Sequence, residues 1–192
     1  QYEAGIKYQP PGGGSLFTLS AFHLTQQNVT TADPQHTGFN VQTGEIRSRG
    51  IEAEARVSLG AGLNAVASYT WLDAEVTASN DGNRGQRPVA VPEHSASAWA
   101  DYTVQSGPLA GLGGGAGVRY VGSTYGDPAN TFSVPSHTLV DAAVRYDLSY
   151  LTPHLKGVQA AINATNLFDK EYVSACTRAT NCYYGLGRSV IA

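Results

Sequence analysis

Ile51-Glu-Ala-Glu-Ala-Arg-Val-Ser-Leu59, then Gly60-Ala-Gly62, then Leu63-Asn-Ala-Val-Ala-Ser-Tyr-Thr-Trp71 decides the fold class. In the first run Ile51, Ala53, Ala55, Val57 and Leu59 fall on one side, and Glu52, Glu54, Arg56 and Ser58 on the other. In the second, Leu63, Ala65, Ala67, Tyr69 and Trp71 oppose Asn64, Ser68 and Thr70. Apolar residues repeating every second position are the mark of a strand with one greasy face. The glycine pair between them fits a short hairpin turn. The same alternation returns where Val140, Ala142, Val144, Tyr146 and Leu148 oppose Asp141, Arg145 and Asp147.

Working outward from this hairpin, the pattern predicts about nine strands joined by turns and loops, with no helix. They cover Tyr2–Tyr8, Leu16–Thr30, Phe39–Leu59, Leu63–Ala78, Glu93–Gln105, Leu112–Tyr125, Pro135–Tyr150, Leu155–Leu167 and Tyr184 onward. The third is expected to bulge near Gly44 or Gly50. Most run well past the ~5–6 residues usual in soluble sheets, whereas ~9–11 span a bilayer. Loop lengths alternate. The short turns are Pro10–Gly14, Gly60–Gly62, Gly107–Gly111 and Thr152–His154. The long loops are Ala32–Gly38, Ser79–Pro92, Gly126–Val134 and Lys170–Tyr183. Transmembrane barrels have short turns on one rim and long loops on the other. The strands therefore read as an all-β, antiparallel, up-and-down transmembrane β-barrel wall. Tyr69 and Trp71, Tyr146 and Tyr150, with Trp99, Tyr102 and Tyr120, are placed as outward aromatic girdles. A soluble sandwich core is the competing explanation of the same apolar faces.

Bulk composition agrees. Charged residues make up 14% of the chain, against ~25% in soluble domains. No run of ~18 apolar residues exists to form a membrane helix. Lys+Arg 12 against Asp+Glu 15 leaves a net charge of −3, so no basic field attracts nucleic acid. The two cysteines, Cys176 and Cys182, lack metal-ligand spacing and read as one disulfide formed in an oxidising compartment. Closing so short a loop is worth roughly 2–2.5 kcal/mol on the chain-entropy model. Two free thiols in a reducing compartment are the alternative.

Nothing reads as catalytic. His23, His36, His94, His137 and His154 are isolated, so no metal site is expected. Gly60-x-Gly62 and Gly185-x-Gly187 lack the strand–helix setting of a dinucleotide loop, and no nucleophile elbow occurs. Neither enzymatic activity nor a cofactor is expected. The glycines of Gly113–Gly117 suggest close backbone approach or strong curvature.

The tail carries a resemblance. Asn163-Ala-Thr-Asn-Leu-Phe-Asp-Lys-Glu-Tyr172 resembles the signature before the last strand of TonB-dependent outer-membrane receptors. Cys176 and Cys182, followed by aromatics and Gly185-Leu-Gly-Arg-Ser-Val-Ile-Ala192, are similar to the ferrichrome (hydroxamate siderophore) branch. Gly44-Glu-Ile-Arg-Ser-Arg-Gly-Ile-Glu-Ala-Glu54 and Arg87-Pro-Val-Ala-Val-Pro-Glu-His94 resemble further family segments. Ferrichrome-type members often carry an aromatic directly after the first cysteine, where this chain has Thr177.

The resemblance implies that residues 1–192 are the C-terminal part of a receptor barrel, about the last nine strands of a ~22-stranded one. The plug domain, the TonB-contacting segment (TonB box) and the earlier strands would lie outside it. The implied function is TonB-energised uptake of ferric siderophores across the bacterial outer membrane. The partners would be ferric siderophore, TonB through the plug, and outer-membrane lipid. Thr177, Tyr183 and Tyr184 become candidate ligand contacts, with an aromatic girdle as the alternative role of the tyrosines. Another cargo (haem, cobalamin or a sugar) and a structural or adhesive barrel are the other readings. An odd number of strands is expected to leave a curved open sheet, without transport activity of its own.

Overall fold

The computed structural model describes residues 1–192. Nine strands form one antiparallel sheet in the order β1-β2-β3-β4-β5-β6-β9-β10-β13. They are β1 (Tyr2–Tyr8), β2 (Leu16–Ala32), β3 (Asn40–Gly60), β4 (Leu63–Ala78), β5 (His94–Thr103), β6 (Leu112–Val121), β9 (His137–Asp147), β10 (Gln159–Thr165) and β13 (Ser189–Ile191). Two small ladders stand apart: β7 (Thr124–Tyr125) with β8 (Ser133–Val134), and β11 (Val173–Arg178) with β12 (Asn181–Tyr184). β1 and β13 end the sheet and do not pair with each other, so the expected open sheet is what forms.

Register converts the alternation of single strands into two continuous faces. Tyr8, Phe17, Ala55, Ala67, Ala98, Val118 and Val140 stand in one cross-strand row. The row behind it, on the other face, holds Thr18, Glu54, Ser68, Ser97 and Arg119. There Ser68 and Ser97 are hydrogen-bonded at 2.8 Å between their hydroxyls. The apolar face from Ile51 to Leu59 covers about 26 Å of strand at ~3.3 Å per residue. Tilted by 35–45°, that is about 20 Å of height, close to the apolar band of outer-membrane barrels.

The apolar face ends in aromatics and then in charge. Tyr69, Trp71 and Tyr120 close it on the long-loop side. Beyond them, with the same strand parity, Arg49 donates to Asp73 at 2.7 Å and Arg47 pairs with Glu75. An ion-pair ladder does not belong against hydrocarbon, so the apolar band ends at the aromatics. Tyr8, Phe17, Tyr102 and Tyr146 close the opposite end.

No second layer covers either face. Only 15 of 192 residues are buried, far too few for a sandwich core. Most of those that are, such as Val134, Leu139, Cys176 and Asn166, gather where the long loops fold back, while Ala110 sits at a short turn. Val144 and Ile162, meanwhile, stay more than half exposed on the apolar face. A one-layer wall with a bare apolar face suits a barrel in lipid.

Several expectations need correction. The bulge lies at Gly44, where Asn28 and the residues near it break register, whereas Gly50 pairs regularly with Phe22 and Leu72. A Cβ at Gly50 would strike the Trp71 main-chain carbonyl first and the Phe22 ring next, so that glycine allows close approach of the neighbouring strand as well as of an aromatic. Trp99 does not belong to an outward girdle. It shares parity with Ser97 and Asp101, on the polar face, and its indole covers Gly115 and Gly117, where a Cβ would come within 2.7 Å and 2.6 Å of the ring. Gly113 similarly lies under the Arg145 guanidinium. Of the two explanations of this glycine run, close approach is the one seen.

Strand ends also move. β6 stops at Val121, and Thr124–Tyr125 turns out of the wall to pair with Ser133–Val134. β9 stops at Asp147, whose carboxylate accepts the Ser149 N–H at 2.9 Å and caps a 3₁₀ turn over Leu148–Tyr150. A second 3₁₀ turn, Pro153–Leu155, delays β10 to Gln159. Tyr184 belongs to β12, and the last wall strand begins at Ser189.

Candidate functional site

The long loops meet at one rim, bound to one another by local chemistry. Loop 79–93 is held at both ends. Asn80 Nδ2 donates to Thr31 Oγ1 (3.1 Å) and to the Ala32 carbonyl (3.0 Å). The Arg87 N–H donates to Asn130 Oδ1 at 2.8 Å, and Asn130 Nδ2 returns to the Arg87 carbonyl at 3.0 Å. Asn130 takes a positive φ of 57°, which asparagine tolerates better than most residues.

Asp127 closes the next loop. It accepts the Thr131 N–H (2.8 Å), the Thr131 hydroxyl (2.9 Å) and the Phe132 N–H (3.2 Å). Burial pushes its carboxyl up, but these donors more than offset burial and hold it below the usual aspartate value. A lowered folded pKa contributes stability above the unfolded value of ~3.9, lost as pH falls through the folded value. Amide hydrogen exchange at Thr131 and Phe132 should therefore stay slow until pH drops below about 4. In Asp127→Ala the protection of these two amides, relative to their intrinsic exchange rates, should be low at every pH. Slow exchange in that variant would remove Asp127 from loop closure.

The tail signature is a fastener. Asn166, 3% exposed, takes a left-handed φ of 50°, and its side chain makes three hydrogen bonds. Its Nδ2 donates to the carbonyls of Lys170 (2.9 Å) and Leu186 (3.1 Å), and its Oδ1 accepts the Lys170 N–H (2.8 Å). Its own N–H donates to Asp141 Oδ1 at 2.9 Å, and Arg119 holds that carboxylate by two further bonds. Asp169 Oδ1 accepts the Arg188 N–H at 2.7 Å. Tyr172 lies over Gly185 and packs against His137 with ring centroids 4.3 Å apart. The motif thus clamps the strand that follows it.

The expected disulfide is present between Cys176 and Cys182, and its loop is an antiparallel ladder, β11 with β12. Cys176 is buried beside Gly126, so this ribbon rests on the neighbouring loop. The three candidate contacts all lie on the ribbon but do not form one surface. Thr177 Oγ1 accepts from Asn181 Nδ2 at 2.9 Å and closes the ribbon tip. Tyr183 and Tyr184, 54% and 80% exposed, are adjacent in β12. Adjacent strand residues point to opposite faces, so one ligand surface takes one of them. Asn166 and Asn130, which position these loops, carried one signal in the sequence: asparagine at a turn that needs positive φ.

Comparison with known proteins places these features. Residues 1–167 match the family described as TonB dependent receptor-like, beta-barrel. Over all of the chain, 48% of residues are identical to the ferrichrome outer membrane transporter/phage receptor of Escherichia coli K12, of which the match covers 25%. Identity to the ferrioxamine B receptor of Salmonella typhimurium is 42%, over 100% of this chain and 27% of that protein. The crystal structure of the siderophore receptor PiuA from Acinetobacter baumannii superposes with a TM-score of 0.78 at 28% identity, over 98% of this chain and 27% of that one. The chain spans about a quarter of the length of the curated relatives it matches.

Proposed function

Because this chain belongs to the TonB-dependent receptor family, as part of its outer-membrane β-barrel, we propose that the protein carrying it takes up ferric siderophores, with hydroxamates of the ferrichrome type as cargo. TonB supplies the energy through a plug domain that lies outside residues 1–192. The observation that carries the reading is identity of 48% and 42% along the whole of this chain to proteins named for ferrichrome and ferrioxamine, over about a quarter of their own length. The geometry supports it. A wall with one bare apolar face fits lipid, its polar face fits a filled lumen, and its loops form a braced rim where a ligand can be captured.

On this reading the β11–β12 ribbon contributes one tyrosine to the siderophore, and Thr177 shapes the ribbon tip. The test uses the full-length receptor in detergent with a panel of ferric hydroxamates and ferric catecholates. A ferric hydroxamate should bind tightly and a catecholate weakly. Tyr183→Ala and Tyr184→Ala are made singly. One should raise Kd by about 30-fold, the scale of an aromatic anchor at ~2 kcal/mol, and the other by less than about twofold. Absence of binding to any siderophore keeps the barrel and moves the cargo to haem, cobalamin or a sugar. Unchanged Kd in both variants takes the ribbon out of the site.

A further inference from the structure

His137 opens β9 at the long-loop rim, opposite Val121 and one residue beyond the level of Tyr120. Its ring packs on Tyr172, with centroids 4.3 Å apart and planes tilted by 31°. Tyr172 in turn covers Gly185, where no Cβ fits against the phenol ring. The Tyr172 carbonyl also accepts the Gly185 N–H at 2.8 Å. Tyr172 directly precedes β11 and Gly185 directly follows β12. One phenol ring therefore ties the start of β9 to both legs of the disulfide-closed ribbon. We propose that His137 is a proton-operated latch at the base of this ribbon: neutral, it holds Tyr172 over Gly185, and protonated, it lets the base open.

The surroundings of the imidazole accept a neutral ring and resist a charged one. Arg119 stands opposite Leu139 on β6, so it is the diagonal cross-strand neighbour of His137 on the same face, about 7–8 Å away. Lys170 lies two residues before Tyr172 and is fixed there by its main-chain bonds to Asn166. Both are cations. Carboxylates that could balance a third positive charge are engaged elsewhere. Asp141, on the same face of β9, is taken up by Arg119 and by the Asn166 N–H. Asp169 is turned to the Arg188 N–H, and Glu171 is exposed to solvent. Val121, directly opposite, is apolar. Lys170 matters more than Arg119, because Asp141 offsets the guanidinium. A protonated imidazole does gain a cation–π contact with Tyr172, but that gain is small at a site open to water.

The pH window follows from the sign. Partial burial pushes the His137 pKa down, and Lys170 and then Arg119 push it the same way. Once the base opens, the ring returns to the ordinary histidine value of ~6.5 and takes up a proton more readily. The closed latch is therefore at full strength above that value. It weakens as pH falls through ~6.5 and on towards the folded value. Histidine is the side chain suited to such a step near neutral pH.

The latch depends on this geometry alone, whatever the cargo. Amide hydrogen exchange of the full-length receptor in detergent is measured from pH 5 to 8 at fixed salt, as protection relative to intrinsic rates. The Gly185 N–H is the reporter. Its protection should be constant above about pH 7 and fall about threefold or more by pH 5. The Asp127 loop responds below about pH 4, outside this range. His137→Phe keeps a ring against Tyr172 and takes no proton, so its profile should be flat. Lys170→Gln removes one cation and leaves the main-chain bonds to Asn166 in place, so the fall should shrink. A flat profile in the unsubstituted receptor overturns the proposal. So does the same fall in His137→Phe, or an undiminished fall in Lys170→Gln.

Discussion

Ala142→Arg should cost the folded receptor about 2–4 kcal/mol in a bilayer, while Ala143→Arg, one residue away, should cost about 1 kcal/mol or less. Ala142 stands on the apolar face, in a row with Ala65, Ala100, Ala116 and Ala164. That row falls inside the band bounded by Trp71 at one end and Tyr102 at the other. A guanidinium there must either enter hydrocarbon or drag water and headgroups inward. Ala143 faces the other way, between Gly115 and Asn163, where the surface is already polar. Because the two substitutions are chemically identical and adjacent, helix or strand propensity cancels between them. Urea titration of the full-length receptor refolded into vesicles measures the difference. Equal costs would mean that the faces are assigned wrongly or that neither meets lipid.

The second large effect is at Asn166. Asn166→Ala removes three side-chain hydrogen bonds and puts alanine at φ 50°. At about 1 kcal/mol net for each bond, the loss is about 3 kcal/mol, and the left-handed backbone adds roughly 1 more. Asn166→Gly relieves the backbone part only, so it should recover about 1 kcal/mol and no more. The damage should be directional. β13 has only three paired residues, Ser189 to Ile191 against Asn163 to Thr165, and Asn166 holds both the turn that leaves β10, through Lys170, and the Leu186 carbonyl just ahead of β13. Hydrogen exchange should therefore rise at Val190 and Ile191 while the β3–β4 ladder stays protected. Uniform loosening of the sheet, or no change at β13, would show that the motif is not the fastener of the last strand.

The contrast between these two positions shows where the sequence could be read and where it could not. Tyr2–Tyr8 and Leu63–Ala78 are the strands expected. Apolar residues recur at every second position through Tyr2–Tyr8 and from Leu63 to Trp71; Pro10 follows soon after the first strand and Gly62 precedes the second. At Leu148–Tyr150 the alternation runs on but the strand does not, because Asp147 turns its carboxylate back to the Ser149 N–H. Tyr184 was misplaced for a similar reason. An aromatic after a cysteine looks like a strand entering the girdle, yet it is the end of a disulfide-closed ribbon.

The candidate site was legible as a region and not as a surface. The cysteine pair and the asparagine-rich signature located the last loop correctly. Which side of the ribbon each tyrosine takes depends on register with β11, including a slip between Val173 and Ala175. No property of the residues alone announces that slip.

By itself, the sequence determined the all-β class, strands with one apolar face, and the alternation of short turns and long loops. These follow from period-2 patterning, turn residues and spacing, which are properties of a chain segment and its immediate neighbours. The tertiary structure alone decided that Trp99 lies inward over Gly115 and Gly117, that Asn166 clamps the final strand, that the wall stays one layer thick, and that the two cysteines are paired. Each of these depends on which residue of a neighbouring strand or loop comes alongside. Trp99 and Gly117 lie 18 positions apart as direct partners in the β5–β6 ladder, and a missing side chain acquires meaning only when register brings a ring over it.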